Sequence, residues 1–298
     1  MTKGIGVLVS ERITAGLIEN DRLAGKISSF PDDAEVDDAL VGLPAELIAR
    51  QVAEQVLHLG SLEGVAYLGV GFPGIIRRGV IEDSPNLPQL KGSQIGQLLK
   101  DALQPYLGEL PIVCFNDADI FAAGLAATRN HLDRLIRVWT LGNGIGYGRY
   151  PYHEGAWEAG HSVVTLDPRE HFCGCGGSGH LEGIMGQRAM RLRFMDMEPE
   201  EIFQQALGGD HRCVEFVKLW HRALAAGTAT SIHLDGPGKF FVTGINARFV
   251  NMTLLSEYLN EMVKLSPLQG YSLEVVTGGE EVAVIGAAVN ASRWRSRS

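Results

Sequence analysis

Two stretches, Cys173-Gly174-Cys175-Gly176-Gly177-Ser178-Gly179-His180-Leu181-Glu182 and, just upstream, Trp157-Glu158-Ala159-Gly160-His161, hold the chemistry that decides how this chain is read. Two thiols one residue apart and one or two imidazoles make a tetrahedral zinc set. The glycines let so short a loop close around an ion. A closed set of four ligands has no open coordination position, which makes it structural, not catalytic. His180 and His161 are the nearest imidazoles, with His171 as a substitute; the alternative is a flexible glycine loop whose cysteines are incidental. The remaining cysteines, Cys114 and Cys213, read as small core residues.

The rest of the composition sets bounds. The chain has 298 residues, 45% hydrophobic and 20% charged, enough for one large domain or two medium ones with substantial cores. Four cysteines in this length are not a disulfide framework. A net charge of −9 argues against a nucleic-acid-binding surface, which needs a basic face. No run is long and apolar enough for a membrane span, and the N-terminus has no signal-peptide series. No membrane partner is therefore expected, and the cytoplasm is the expected location.

Working outward, GIGVLVS and ITAGLIE within 4–28 read as short strands parted by the polar turn Ser10–Arg12. Ile48, Val52, Val56 and Leu59 lie at helical spacing within 44–59. VAYLGVG is a strand ending at Phe72-Pro73-Gly74; 94–106 is helical; IVCF (112–115) is a buried strand ending at Asn116-Asp117, with a helix after it. In the second half RVWTLG and the glycines after it read as a hairpin. Helices are expected near 199–207, 211–231, 249–264 and 280–292, with strands at KFFVTG and SLEVV. Strands followed by helices, twice over, predict a mixed-sheet α/β architecture whose two halves suggest a duplication.

Gly69-Val70-Gly71-Phe72-Pro73-Gly74 matches GxGxxG, but Pro73 intrudes where a helix must begin, so it reads as a tight turn and not a dinucleotide site. LGNGIGYG (141–148) follows a strand with four alternating glycines, either a bulged hairpin or a phosphate cradle of backbone N–H groups. Asn116-Asp117 ends a strand, a position that lines clefts in α/β folds, although Asp117 also suits a helix N-cap. Asn86, Glu158 and Glu182 add groups of the kind that hold a polyol.

In this order the pieces resemble the ROK (repressor, open reading frame, kinase) family. GVGFPGII and SPNLP (69–88) are similar to its glycine–proline turn and sugar-contacting Asn. FNDAD (115–119) resembles its Glu-Asn-Asp-Ala-Asn motif, LGNGIGYG its second phosphate loop, and WEAGH its Gly-Glu-x-Gly-His segment. CGCGGSGHLE resembles its zinc loop, Cys-x-Cys-Gly-x-x-Gly-Cys-x-Glu, and VAVIGAA (282–288) its closing helix. The resemblance implies an actin-like, ribonuclease-H-like duplicated two-domain α/β sugar kinase fold, with lobes 1–117 plus 281–298 and 118–280. It implies sugar ligands Asn86, Asn116, Asp117, Glu158, His161 and Glu182, with Asp117 as catalytic base. It implies structural zinc on His161, Cys173, Cys175 and His180, and Mg²⁺-ATP as donor near Gly142, Asn143, Gly144 and Gly244. A hexose substrate and a homodimer follow from the same resemblance.

The first hairpin departs from the family. Asp-x-Gly-Gly-Thr is replaced by Val7-Leu8-Val9-Ser10-Glu11, so the Asp that helps place the metal nucleotide is a valine. Arg12, next in line, could attract a polyphosphate. The third zinc cysteine is His180, a competent ligand. The glycine pair beside the adenosine is Gly244-Ile245, with Gly278-Gly279 as another flexible turn. Three functions are consistent with this pattern: a hexose kinase with a rearranged donor site, a sugar-binding pseudokinase acting as sensor or regulator, and transfer from another phosphoryl donor. The ROK repressors carry an N-terminal helix-turn-helix, and its absence here predicts no DNA binding.

Overall fold

The computed structural model describes residues 3–33, 39–155, 158–264, 270–277 and 279–295, which leaves Trp157 and Gly278 of the motifs above outside the described residues. The chain divides into two compact units. The first comprises Met1–Ile136, Gly148–Ala156 and Gly278–Ser298, and the second Arg137–Tyr147 and Trp157–Thr277.

In the first unit β1 (Lys3–Val9) and β2 (Ile13–Glu19) form the expected hairpin, with Val9 opposite Ile13. Nearly all of both strands is buried, which is why they read as apolar runs and not as alternating ones. Two short strands, β3 (Arg22–Leu23) and β4 (Ser28–Phe30), pair with β2. Helix α1 (Ala45–Leu57) buries Ile48, Val52 and Val56 completely, the face its spacing predicts. Strand β5 (Val65–Phe72) runs parallel to β1. A separate two-stranded hairpin, β6 (Ile75–Arg77) and β7 (Val80–Asp83), precedes α2 (Ile95–Leu107). Strand β8 (Ile112–Asn116) then completes the order β3-β2-β1-β5-β8 and leads directly into α3 (Asp117–Thr128).

Helices α1 and α2 join Ile5, Val7, Val9, Leu68 and Val70 in one core. The opposite face is covered by α3 and by the last helix, α9 (Glu280–Arg295). Contact there is backbone to backbone. A Cβ on Gly6 would lie 1.8 Å from the Val284 carbonyl oxygen, one on Gly69 2.0 Å from that of Ala287, and one on Gly286 1.7 Å from that of Ile120. Glycine is the residue that permits such approach. Helix α3, set in the second lobe by the sequence boundary at 117, packs on α9 and belongs with the first unit.

The second unit repeats the strand arrangement. Its sheet, of which Ile136 and Gly148–Tyr150 fall in the first unit, has the order β10 (Ile145–Tyr150), β9 (Ile136–Leu141), β11 (Lys239–Thr243), β12 (Ser272–Val275). As in the β2-β1-β5-β8 part of the first sheet, the second hairpin strand lies on one side of the first and two later strands, mutually parallel, lie on the other. Two short helices, α4 (Leu181–Met185) and α5 (Gln187–Arg193), precede α6 (Pro199–Leu207), which starts on a Glu198–Glu201 capping box. The 25-residue α7 (His211–Asp235) is capped by Asp210. The helix expected over 249–264 is shorter: Ile245–Phe249 is a 3₁₀ turn, and α8 (Met252–Met262) begins only after Asn251, whose side chain accepts from the N–H groups of Thr253 and Leu254. Trp139, Trp220, Leu224 and Phe240 are fully buried in this unit's core. Among the described residues, no helix is long and apolar enough to cross a membrane.

Candidate active site and metal centre

The second unit gathers the Cys/His set. Single ligand atoms of His161, Cys173, Cys175 and His180 all lie within 4.8 Å of one another. The two Sγ atoms are 3.4 Å apart. His161 Nδ1 is 3.2 Å from Cys175 Sγ and 3.7 Å from Cys173 Sγ, and His180 Nδ1 is 3.3 Å from Cys175 Sγ. Ligands bonded to zinc at ~2.0–2.3 Å in a tetrahedron sit roughly 3.3–3.8 Å from each other. These donors fit that ion. His171, the substitute ligand, instead stacks on Phe172.

Local structure explains how the loop holds this shape. Val163 bridges His180, Val164 N–H donates to Gly179 O, and Leu181 N–H donates to Ser162 O. Gly179 has φ +72°, and a Cβ there would lie 2.1 Å from the Thr165 carbonyl oxygen. The buried Glu170 pairs with Arg193 of α5 beneath the loop. Burial pushes the Cys173 thiol up to about 12, whereas the Gly177 N–H holds the Cys175 thiol below its ordinary value. On its far side His161 presents Nε2 to the Glu158 carboxylate at 3.7 Å. A carboxylate behind a ligating imidazole orients the ring and raises its basicity.

Glu182 joins this cluster to the glycine loop. Its Oε1 accepts from Cys173 Sγ at 3.6 Å, and its Oε2 accepts the Ile145 N–H at 3.0 Å. Gly144 lies directly over the carboxylate, since a Cβ there would be 2.6 Å from Oε2. The loop is pinned from below as well. Gly142 O accepts from Gln187 N–H and from Asn246 Nδ2, both at 3.1 Å, and Gln187 Nε2 donates to Asn246 Oδ1 at 3.0 Å. Gly244 abuts the Leu141 backbone. Glu158, His161, Glu182, Gly142, Asn143, Gly144 and Gly244 therefore all belong to one unit, connected through Glu182 and Asn246. Gln187 and the fully buried Asn246 escaped the sequence reading; the signal for Asn246 was its place two residues after Gly244.

The first unit carries Asn86, Asn116 and Asp117. Asn116 is the N-cap of α3: its Oδ1 accepts the Ala118 N–H at 2.8 Å, and its Nδ2 donates to Gly74 O at 2.8 Å. Asp117, at the first helical position, also accepts the Ala118 N–H, at 2.9 Å. The Phe72–Gly74 turn is tied to the segment bearing Asn86 by Ser84 Oγ, which donates to Pro73 O at 2.8 Å. Asn86 is exposed. Asp119 was not singled out from sequence. It is 4% exposed, and its Oδ1 accepts the Arg149 N–H at 2.9 Å.

The hairpin that departs from the family pattern is closed at its tip. Val7 and Val9 are fully buried in the core formed with α1, and Ser10 N–H bonds Arg12 O at 3.0 Å. Arg12 is ion-paired with Glu280 at 2.9 Å. Valine supplies no oxygen for magnesium, so the metal-placing carboxylate of the family does not fit here.

The ROK family model matches residues 43–293. The chain is 30% identical over 240 residues to a glucokinase of Pyrobaculum calidifontis, covering 76% of each protein. The crystal structure of a ROK hexokinase from Thermus thermophilus covers the whole of both chains with a TM-score of 0.80 at 25% identity. A ROK family glucokinase from Streptomyces griseus, solved with glucose and AMPPNP, shares the fold with a TM-score of 0.69 at 22% identity, covering 98% of this chain and 99% of that one. Together with the duplicated sheets and the Cys/His loop, the match over most of its length shows that the chain belongs to the ROK family.

Proposed function

We propose that the chain is an ATP-dependent hexose kinase acting on glucose-like sugars. The observation that carries this reading is the second unit's cluster, where Glu158 and His161 stand beside a zinc-fitting ligand set and Glu182 links that set to the Gly142–Gly144 loop. Family membership supports the phosphoryl transfer. A hexose hydroxyl both donates and accepts hydrogen bonds: the Asp117, Glu158 and Glu182 carboxylates accept, the Asn86 and Asn116 amides do both, and the second ring nitrogen of His161 donates.

Asp117 acts as general base. It accepts the proton of the attacking sugar hydroxyl while the new O–P bond forms at the γ-phosphorus and the bond to the β-phosphate oxygen breaks, releasing ADP. Asn116 holds Asp117 at the helix start and keeps a second amide hydrogen for the sugar. Backbone N–H groups around Gly142, Asn143, Gly144 and Gly244 receive the nucleotide. Bound zinc would be held by His161, Cys173, Cys175 and His180, and supplies a structural clamp that sets the direction of the His161 ring. Use of a nucleotide donor supports a cytoplasmic location, and the family resemblance supports a homodimer.

Purified protein is expected to release ADP from Mg²⁺-ATP only when glucose or a close relative is present. The buried Val7 favours a second reading, a sugar-binding sensor. Sugar binding without turnover on ATP, GTP or polyphosphate would establish that alternative.

A further inference from the structure

We propose that the first unit carries a further ligand site, a cleft along the outer edge of β8 that takes a small phosphorylated sugar, with Arg78 and Lys100 receiving the phosphate. None of the sugar- or nucleotide-binding residues proposed above lines this cleft, so the proposal stands apart from the kinase reading.

The cleft has a volume of about 450 Å³, within the roughly 300–1,000 Å³ of small-molecule sites. Its floor is β8, the last strand in the order β3-β2-β1-β5-β8. Successive side chains of a strand point to opposite faces, so Ile112, Val113 and Cys114 can all line one cleft only where the strand turns its edge toward it. One wall is the tip of the β6–β7 hairpin together with the first turns of α2. These are locked together: Gly96 N–H donates to Gly79 O at 2.9 Å, Ile81 N–H donates to Ser93 O at 3.1 Å, and a Cβ on Gly96 would lie 3.1 Å from Gly79 Cα. Tyr152 and Trp294 line it as well, their rings meeting edge to face with centroids 5.6 Å apart.

The charges at the cleft select the ligand. Nearby cations are spoken for, Arg77 by Glu82 and Lys91 by Asp83, whereas Arg78 and Lys100 have no ion pair among the described residues. Arg78 and Gly79 form the two-residue turn between Arg77 and Val80, with φ +49° and +78°. Such a turn prefers Asn, Asp or Gly at its first position, so a long cation is held there at a cost in backbone energy. Lys100 follows Gly96 by four residues and therefore shares the face of α2 that meets the hairpin tip. Two unpaired cations suit a phosphate, and the one carboxylate of the lining, Glu154, limits it to a monoester and not a polyphosphate. Glu154 and Gln94 offer acceptors and donors to hydroxyl groups; Gln97 offers its carbonyl, since its Nε2 already donates to Asp101 at 2.7 Å. The Tyr152 and Trp294 rings supply an amphipathic surface for the C–H face of a sugar ring.

The experiment titrates the full chain with glucose 6-phosphate by calorimetry, with glucose held in excess to fill the proposed sugar pocket, and follows the indole N–H signal of Trp294 by NMR, assigned with Trp294→Phe. Saturable binding that shifts the Trp294 signal is expected. Arg78→Gln and Lys100→Gln should each weaken it by roughly tenfold with melting temperature unchanged, because both side chains are exposed. Inorganic phosphate, titrated in the same way, should bind more weakly, since it forgoes the hydroxyl and ring contacts. An unmoved Trp294 signal, or binding that is undiminished in both variants, would overturn the site. Equal affinity for inorganic phosphate and glucose 6-phosphate would overturn its assignment to a phosphorylated sugar. The Trp294 shift needs no turnover, so a protein that binds here and phosphorylates no hexose would sink the kinase reading and leave this site standing.

Discussion

Glu182 Oε2 accepts the backbone N–H of Ile145 at 3.0 Å while its Oε1 faces the thiol of Cys173 at 3.6 Å. One carboxylate therefore supports the turn of the glycine loop and backs a member of the metal-ligand set. Replacing Glu182 by Ala strips the Ile145 N–H of its acceptor, and a hydrogen bond to a charged group contributes roughly 1.5–3 kcal/mol. Denaturant unfolding of Glu182→Ala is expected to show a loss on that scale, with a raised KM for sugar. Glu182→Gln, which retains an acceptor, should recover most of the stability and not the sugar affinity.

Asn116 and Asp117 are neighbours with separable duties. Both accept the Ala118 N–H, so the cap of α3 survives when Asp117 is lost. Asp117→Ala is expected to lower kcat by ~10²–10⁴ with little change in melting temperature. Asn116→Ala forfeits the cap and the link to Gly74 O, and should cost about 1–2 kcal/mol of stability. Equal turnover in Asp117→Ala and wild type would remove that residue from the chemistry.

Elemental analysis of the purified protein should find about one zinc per chain, as a single four-ligand site requires. Burial favours the protonated Cys173 thiol in the metal-free protein, and the metal needs the thiolate. Zinc binding is thus expected to release protons and to weaken as pH falls, measured by calorimetry in buffers of different ionisation enthalpy. Cys175→Ser should lose the metal and melt earlier; full stability in a zinc-free protein would contradict a structural role.

His221 predicts a pH dependence that needs no ligand. It is fully buried, its Nδ1–H donates to Val217 O at 2.8 Å, and its Nε2 accepts the Asn251 N–H at 2.8 Å, which holds the start of α8. Burial lowers its pKa from the ordinary 6.5. The unfolded chain therefore binds a proton first as pH falls, so the stability His221 supplies is present above about 6.5 and declines below it, toward the folded-state value. Unfolding free energy measured from pH 8 to 5 should drop on the acid side, and His221→Phe should flatten that slope.

Much of this was legible before any coordinates. Periodicity located α1 through Ile48, Val52 and Val56, and α6 at Pro199–Leu207, because long amphipathic faces repeat often enough to be counted. The Cys/His loop was legible because thiol and imidazole chemistry admits few uses. Helices α4 and α5 were missed, since five and seven residues complete too few turns to show a period. Asp119 was also missed, because a polar residue in a first helical turn looks solvated until Gly148 and Asn290 are seen to close over it. Asn246 hides for the same reason: its worth lies in a bond to Gly142, more than a hundred residues away.

The glycine contacts of α9 carry a consequence for biosynthesis. Gly6, Gly69 and Gly124 come off the ribosome long before residues 280–295, which supply the backbone that presses on them. Until that final helix emerges, α3 alone shields that face of the first sheet, so a nascent chain stalled before Glu280 would present an apolar ledge to chaperones. Slow translation or early release anywhere upstream should therefore show as aggregation and not as a partly active fragment.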